Sequence, residues 1–465
     1  MSNKVKARVR MYQVGELGDC FHLQFTEGQK QSDILIDCGS FRNSQTSKDR
    51  LKAIVQHIKS DLNGKKFDAV VGTHQHNDHV SGYVHCESEF NGHVDQVWLS
   101  WLDNPKDALA RRIKEDQKNL VSKLQAINKK MQAVKLGDSE VLTDVLGFYG
   151  IDANNGDPVI PAQGIENLKK MGDKPVNYLL PGDHFDLPGL SAGEVKVYSL
   201  GPPRDQTLLF DINPKKDESY DARIAIASLS ATKLLSALDN RGNGVDRRQE
   251  EQFPFNQSYK KTGKNVDRDI FKIYNDEKES WRKIDLEWLE QANRLALYLD
   301  SYTNNSSLVL AFELVKSGRV LFFAADAQTG NWLSWENIKW KDMPAHFSSN
   351  SLLASTVLYK VGHHASHNAT LVAGLEAMTS DELVAMIPVD KSDPNITKKN
   401  GWKMPAKNLF QRLKEKTQFR VLRMDDFYAE DCDPVKNKAQ AKWNKLPFKP
   451  KEDKKNFFIE YTVQG

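Results

Sequence analysis

Short apolar runs broken by turn residues fill the first seventy positions. Val9 to Val14 and Phe21 to Phe25 read as strands on either side of a turn at Gly15, Gly18 and Asp19. Asp33-Ile34-Leu35-Ile36-Asp37 is a continuous apolar run closed by Cys38-Gly39, the pattern of a short buried strand. From Ser47 to Ser60, Leu51, Ile54, Val55 and Ile58 recur at three- and four-residue spacing, which predicts an amphipathic helix. Phe67 to Gly72 is a further apolar strand. Strands interleaved with helices in this way predict an α/β layered fold.

The pattern then changes. Residues 104–173 are rich in Lys, Gln, Leu and Ala at helical spacing, above all from Leu109 to Lys135, and read as a helical insertion. Residues 211–300 form a second, charge-dense insertion. Its helical parts are Ala222 to Leu238 and Ser280 to Leu299, with a loop rich in Gly, Asn, Gln and Arg from Asn240 to Asn265. Strand signals stand at Val195 to Leu200 and return at Ser307 to Leu314, Val320 to Ala325, Thr356 to Val361, Leu383 to Pro388 and Phe419 to Arg423. Residues 434–465 read as a C-terminal extension whose Lys-rich part, Pro434 to Lys455, suits a solvated face. The expectation is one domain over residues 1–465 carrying two insertions.

Composition narrows the class. Of 465 residues, 39% are hydrophobic and 27% charged, which suits a globular chain with a sizeable core. No stretch approaches the roughly 20 apolar residues of a membrane helix. The polar, basic start at Met1 to Arg10 lacks a secretory signal, so no membrane span and a cytoplasmic location are expected. A net charge of +3 means that a nucleic-acid partner would need a local basic patch. Cys20, Cys38, Cys86 and Cys432 show no CxxC spacing, so buried free thiols are expected.

The chemistry concentrates after the Phe67–Gly72 strand. Thr73-His74-Gln75-His76-Asn77-Asp78-His79 places three His and one Asp within six residues. In extended backbone, His74 and His76 point to one side, and Asp78 and His79 reach a second position nearby. Imidazole suits zinc and other borderline metals, while carboxylate adds charge neutralisation. Two divalent ions could be held roughly 3.5–4 Å apart in this way.

This segment resembles the signature His-x-His-x-Asp-His of the metallo-β-lactamase superfamily. The resemblance implies an αββα sandwich with the site at one end of two sheets. Asp37 matches an acidic residue that supports the metal loop. Asp326, in Val320 to Ala327, matches the bridging aspartate after a late strand, and His363-His364 matches the final histidine motif. Within the superfamily the chain looks like the hydrolase domain of the DNA-uptake (competence) protein of ComEC type. The segments that carry this likeness are the Gly15 to Cys20 turn, Asn304 to Leu310, Val361 to Ser366 and residues 383–424. The resemblance covers about half the chain, in pieces at both ends, and neither insertion.

It implies His74, His76, Asp78, His79, Asp326 and His364 as metal ligands, Asp37 behind them, and Asp78 and His363 in catalysis. His363 would donate a hydrogen bond to a phosphoryl oxygen or protonate a leaving group, and it is the other choice of ligand within its pair. The superfamily's middle histidine has no counterpart after Val195 to Leu200, where Gly201-Pro202-Pro203-Arg204-Asp205 stands. His184, Asp205 or water would substitute, although His184 reads first as a surface or supporting residue, and the second of two ions would be labile. Zinc is favoured by the histidine content, with manganese the alternative. The implied reaction is metal-dependent phosphodiester hydrolysis of nucleic acid or a small phosphodiester. Hydrolysis of a small ester, thioester, lactam or nucleotide, or a non-catalytic binding module, are the alternatives. Arg111, Arg112, Lys114 and Lys118 read as a solvated helix face or as phosphate contacts. Trp98, Trp101, Trp332 and Trp335 read as core or cleft lining, and Lys360 as a strand-end surface residue.

Overall fold

Val, Ile, Leu and Phe of the apolar runs pair as strands and bury both faces of two sheets. The computed structural model describes residues 4–133, 140–151, 160–210, 231, 234–235, 267–274, 276, 284–344, 346–399, 401–436 and 443–465. The expected loop over 240–265 lies outside these residues, as does nearly all of the helix expected over 222–238.

The first sheet has eight strands in the order β14-β15-β1-β2-β3-β4-β5-β6. These are β1 (Lys6–Tyr12), β2 (Cys20–Glu27), β3 (Lys30–Cys38), β4 (Phe67–Val71), β5 (Val94–Ser100), β6 (Asn177–Leu179), β14 (Lys451–Asp453) and β15 (Phe458–Gln464). The second has seven in the order β13-β12-β11-β10-β9-β8-β7. These are β7 (His184–Asp186), β8 (Val195–Gly201), β9 (Val309–Leu314), β10 (Arg319–Phe323), β11 (Thr356–Lys360), β12 (Val384–Ile387) and β13 (Val421–Arg423). Both sheets are mixed: β1, β2 and β3 pair antiparallel and β3, β4 and β5 parallel, while β8, β9 and β10 pair antiparallel and β10 to β13 parallel. The chain is therefore mixed α/β.

Alternation along each strand splits the core in two. Leu310, Phe312, Leu321 and Phe323 face the first sheet, where Phe323 meets Phe21 at 5.8 Å and Phe312 meets Phe25 at 5.5 Å between ring centroids. Val309, Ala311, Val320 and Phe322 face the other way, into a second core shared with helices. Those helices include α2 (Ala108–Ala133), α3 (Glu140–Phe148) and α5 (Ile284–Asn305); α4 (Ile160–Met171) instead packs on the first core. The helix of the N-terminal region, α1 (Gln45–Leu62), buries Leu51, Ile54, Val55 and Ile58 as the spacing predicts. It starts where the Ser44 side chain accepts from Ser47 N and stops at Asn63 in the left-handed region.

Two differences from the sequence reading have local causes. The strand expected from Phe419 begins only at Val421, because Gln418 and Phe419 take φ of 51° and 63° where the preceding helix ends. The span read as an extension contains β15, which is mostly buried and pairs with β1 along its whole length, Lys6 opposite Gln464. All four cysteines are free and buried. Trp98, Trp101, Trp332 and Trp335 are core residues, each at most 4% exposed. Among the described residues, no helix is long and apolar enough to cross a membrane.

Candidate metal centre

Parallel pairing brings the C-terminal ends of β3 and β4 side by side, and the histidine segment leaves β4 there. Asp37, with φ of 56°, turns its carboxylate onto that segment. Its Oδ1 accepts from Thr73 N (2.8 Å), and its Oδ2 from Thr73 Oγ1 (2.7 Å) and His79 Nδ1 (2.7 Å). His76 is extended and caps a short helix, Asn77–Val80, that carries Asp78 and His79. Asp19 N donates to Asp78 O (2.9 Å), and Gly39 N donates to Asp19 O (3.0 Å). A Cβ on Gly39 would lie 2.4 Å from both Asp78 C and His79 N. Backbone cannot rotate away as a side chain can. Gly39→Ala is therefore expected to lower stability by at least about 1–3 kcal/mol, the usual range for overpacking. Thermal and denaturant unfolding measure it, and an unchanged midpoint would mean that this loop is not clamped.

Distant segments close on the same point. Asp326 follows β10, where Ala325 is left-handed (φ 47°) and Ser307 Oγ accepts from Asp326 N (3.2 Å). After β11, His363, His364 and Ala365 are all left-handed, at φ 43°, 51° and 60°. Three such residues in a row make a strained turn of the kind held only by surrounding structure. His364 Nδ1 donates to Pro388 O (2.6 Å), so its Nε2 is presented to Asp78 Oδ2 at 3.0 Å. His79 Nε2 lies 3.2 Å from Asp326 Oδ2 and 3.6 Å from Asp78 Oδ2, and His364 Nε2 lies 3.9 Å from Asp326 Oδ2. One atom from each of Asp78, His79, Asp326 and His364 falls within 4.8 Å of all the others.

That set fits a cation. Ligands about 2.0–2.2 Å from one tetrahedral ion stand roughly 3.3–3.6 Å apart, inside the range seen. Among the described residues, Asp78 Oδ1 and His79 Nε2 are buried without a hydrogen-bond partner. Buried orphans of this kind cost about 1–3 kcal/mol each when nothing satisfies them. The Nδ1 atoms of His79 and His364 are both tied to oxygen acceptors, which turns both Nε2 atoms toward the carboxylates of the group, where an ion would replace their protons.

His74 and His76 form a separate pair beside this group. His74 Nε2 and His76 Nδ1 approach to 3.2 Å, and the His74 and His79 rings stand 4.1 Å apart. His363 does not join the four. Its Nδ1 faces Ser366 Oγ (2.9 Å) and Gln328 Nε2 (3.3 Å), its Nε2 faces Asn304 Nδ2 (3.4 Å), and its backbone N donates to Asp326 Oδ1 (3.0 Å). His184 is not brought to the cluster: on β7, its Nε2 donates to Lys341 O (2.7 Å). Asp205 caps a short helix by accepting from Thr207 N (2.8 Å). Lys360 corrects the reading of it as a surface residue. It is 1% exposed, ion-paired with Asp19, 3.4 Å from Asp326 Oδ1, and donates to Ala325 O (3.0 Å). Sequence reasoning missed Asp19 as part of the site. The signal was its place in the Gly18-Asp19 turn, which meets the end of β3.

Electrostatics follow from burial and neighbours. Burial opposes a charge on His79, but Asp326, Asp78, Asp19 and Asp37 outweigh it and hold its pKa well above the usual value. Burial would raise the carboxyls of Asp326 and Asp78, yet the histidines around both and Lys360 beside Asp326 bring them below the ordinary range. Burial pushes His76 down to about 3 and His363 down to about 4, so both are neutral. Metal uptake must therefore displace the His79 proton, and affinity should fall as pH falls.

The end of α3 covers the histidines. Phe148 and Tyr149, at the end of α3, lie 5.1 and 5.3 Å from the His76 ring. Beyond Tyr149 and Gln75 lies a cavity of about 390 Å³ between α2, α4 and the 102–105 turn. Its lining includes Arg111, Lys114, Lys118 and Lys169 against Asp103 and Glu166. Lys114 Nζ donates to Gln75 Oε1 (3.0 Å) and pairs with Asp103 Oδ1 (3.0 Å). Arg112 points elsewhere, to Gln206 Oε1 (3.2 Å). No family model matches this chain, and no curated protein is significantly similar to it.

Proposed function

We propose that this chain is a metal-dependent hydrolase of phosphodiester bonds, built as an αββα sandwich of the metallo-β-lactamase type. The observation that carries the reading is the convergence of Asp78, His79, Asp326 and His364, from three distant segments, into one buried group with ligand spacing. Asp78, His79, Asp326 and His364 would hold one divalent ion, and His74 and His76 a second, weaker one. A divalent ion there supplies a Lewis acid and lowers the pKa of coordinated water to about 7. Zinc suits the imidazole-rich set and manganese is the alternative.

The chain's own residues do the rest. Asp37 fixes the His79 ring and the Thr73 backbone together, so the ligands are oriented before any ion arrives. Lys360 balances Asp19 and Asp326, which keeps these two buried carboxylates from repelling one another. His363 is neutral through burial, and its ring nitrogens are engaged by Ser366 Oγ and Asn304 Nδ2, so it would serve a phosphoryl or leaving-group oxygen by exchanging one of these partners. The aromatic cover over His76 excludes bulk water and favours a small phosphodiester over a polymer. The four cations against two carboxylates in the neighbouring cavity suit an anionic substrate.

A metal-supplemented cleavage screen tests this reading. It covers DNA, RNA, cyclic nucleotides and model phosphodiesters, beside Asp78→Ala and His79→Ala. Metal-stimulated hydrolysis of a small phosphodiester, lost in both variants, is expected. Preferential cleavage of DNA or RNA would overturn the choice of a small substrate. Bound metal without cleavage of any substrate would sink phosphodiester hydrolysis. Activity undiminished in either variant would sink the assignment of the centre.

A further inference from the structure

Helix α5 brings one carboxylate to the histidine segment. Asn304 Nδ2 donates to Asp300 Oδ2 (3.2 Å), one turn along the helix. That leaves Asp300 Oδ1 facing His76 Nε2 at 3.9 Å. Both atoms are closed off from solvent, and neither has a hydrogen-bond partner among the described residues. Their other ends are settled: Nδ1 of the same His76 ring stands 3.2 Å from His74 Nε2.

The hydrogens decide what that last contact is. Thr73 Oγ1 donates its hydrogen to Asp37 Oδ2, so toward His74 Nδ1 (3.1 Å) it is an acceptor. His74 therefore carries its hydrogen on Nδ1 and turns the Nε2 lone pair toward His76. If His76 carries its hydrogen on Nδ1, the two rings simply hydrogen-bond. If it carries it on Nε2, two lone pairs converge, an arrangement that a cation satisfies.

We propose that Asp300 is a positioning residue: when His74 Nε2 and His76 Nδ1 together receive a divalent cation, its Oδ1 takes the Nε2–H of His76 and holds the ring in that tautomer. This rests on reading the cluster as a metal centre. An approach of about 1 Å turns the 3.9 Å contact into an ordinary hydrogen bond. Asp300 acts through His76 rather than as a ligand, since its Oδ1 faces the Nε2 side of the His76 ring and not the His74 Nε2 and His76 Nδ1 pair. Carboxylate–histidine–metal relays orient a ring and raise its basicity, and losing the carboxylate commonly lowers metal affinity by about 10–100-fold.

Zinc binding to the full chain, by calorimetry and equilibrium dialysis, separates the outcomes, together with nitrogen-15 NMR of labelled histidines to read the His76 tautomer. The wild type is expected to bind two ions, with His76 protonated on Nε2. Asp300→Ala should weaken one of the two by about 10–100-fold and leave the other unchanged. Asp300→Asn keeps an acceptor oxygen and should stay within a few-fold of wild type. If Asp300→Ala does not fold, the Asn isotherm and the wild-type tautomer decide. Two sites unchanged in Asp300→Ala, a single site in the wild type, or His76 protonated on Nδ1 each overturn the inference while leaving the metal centre standing. A wild type that binds no ion removes the metal-centre reading itself.

Discussion

Asp326→Asn is expected to reduce metal affinity at the four-residue group by at least about 100-fold, beyond what losing a merely supporting partner costs. Asp326, like His364, ties the group to the second sheet. Its Oδ2 faces both His79 and His364, and its Oδ1 accepts from the His363 backbone and faces Lys360. Asparagine keeps the shape and an acceptor oxygen but removes the negative charge. His79 then has less reason to be protonated, so its pKa should fall in the metal-free protein, while metal-loaded protein loses one of its two anionic ligands. The fold should survive, because the Ser307 contact uses the backbone N–H. Calorimetric titration with zinc or manganese, at two pH values, measures the change. An isotherm indistinguishable from wild type would remove Asp326 from the ligand set.

Lys360→Met is expected to destabilise the metal-free protein by about 3–5 kcal/mol, the range for breaking a buried ion pair from one side. Lys360 is 1% exposed and meets Asp19, Asp326 and the Ala325 carbonyl inside the second sheet. Methionine fills the space yet leaves two carboxylates uncompensated in a low-dielectric interior. Lys360→Met with Asp19→Leu should recover part of the loss, since removing both partners also removes the stranded charge at Asp19. Denaturant unfolding of the two single variants and the pair measures the coupling. A loss below about 1 kcal/mol, as for an exposed pair, would show that water reaches the ammonium.

Much of the strand pattern was legible in the chain because burial on both faces leaves continuous apolar runs. β3, β4, β9 and β10 announce themselves in this way. β5 is mixed in character, Val-Asp-Gln-Val-Trp-Leu-Ser, and was not read. β15 was hidden behind a lysine-rich stretch, whose composition says nothing about the seven residues that follow. At the site, Asp78, His79, Asp326 and His364 were readable because motif spacing survives without coordinates, and the geometry brings these four together. Lys360 was misread because a basic residue at a strand end is normally solvated; here the strand lies inside the parallel half of a mixed sheet and is buried along its length. Asp300 was illegible for a different reason. It sits among ordinary polar residues on α5, and only the packing of that helix against the histidine segment gives it a role.

The pairing of β15 with β1 also bears on how the chain reaches this structure. Arg10 bonds Glu460 across the ladder, a separation of 450 residues. At a synthesis rate of roughly 5–20 residues per second, the β1 edge waits on the order of tens of seconds for its partner. During that time it displays unpaired backbone groups to any other extended segment. Newly made chains should thus lean on chaperones or low concentration until the final strand emerges, whatever the stability of the finished molecule.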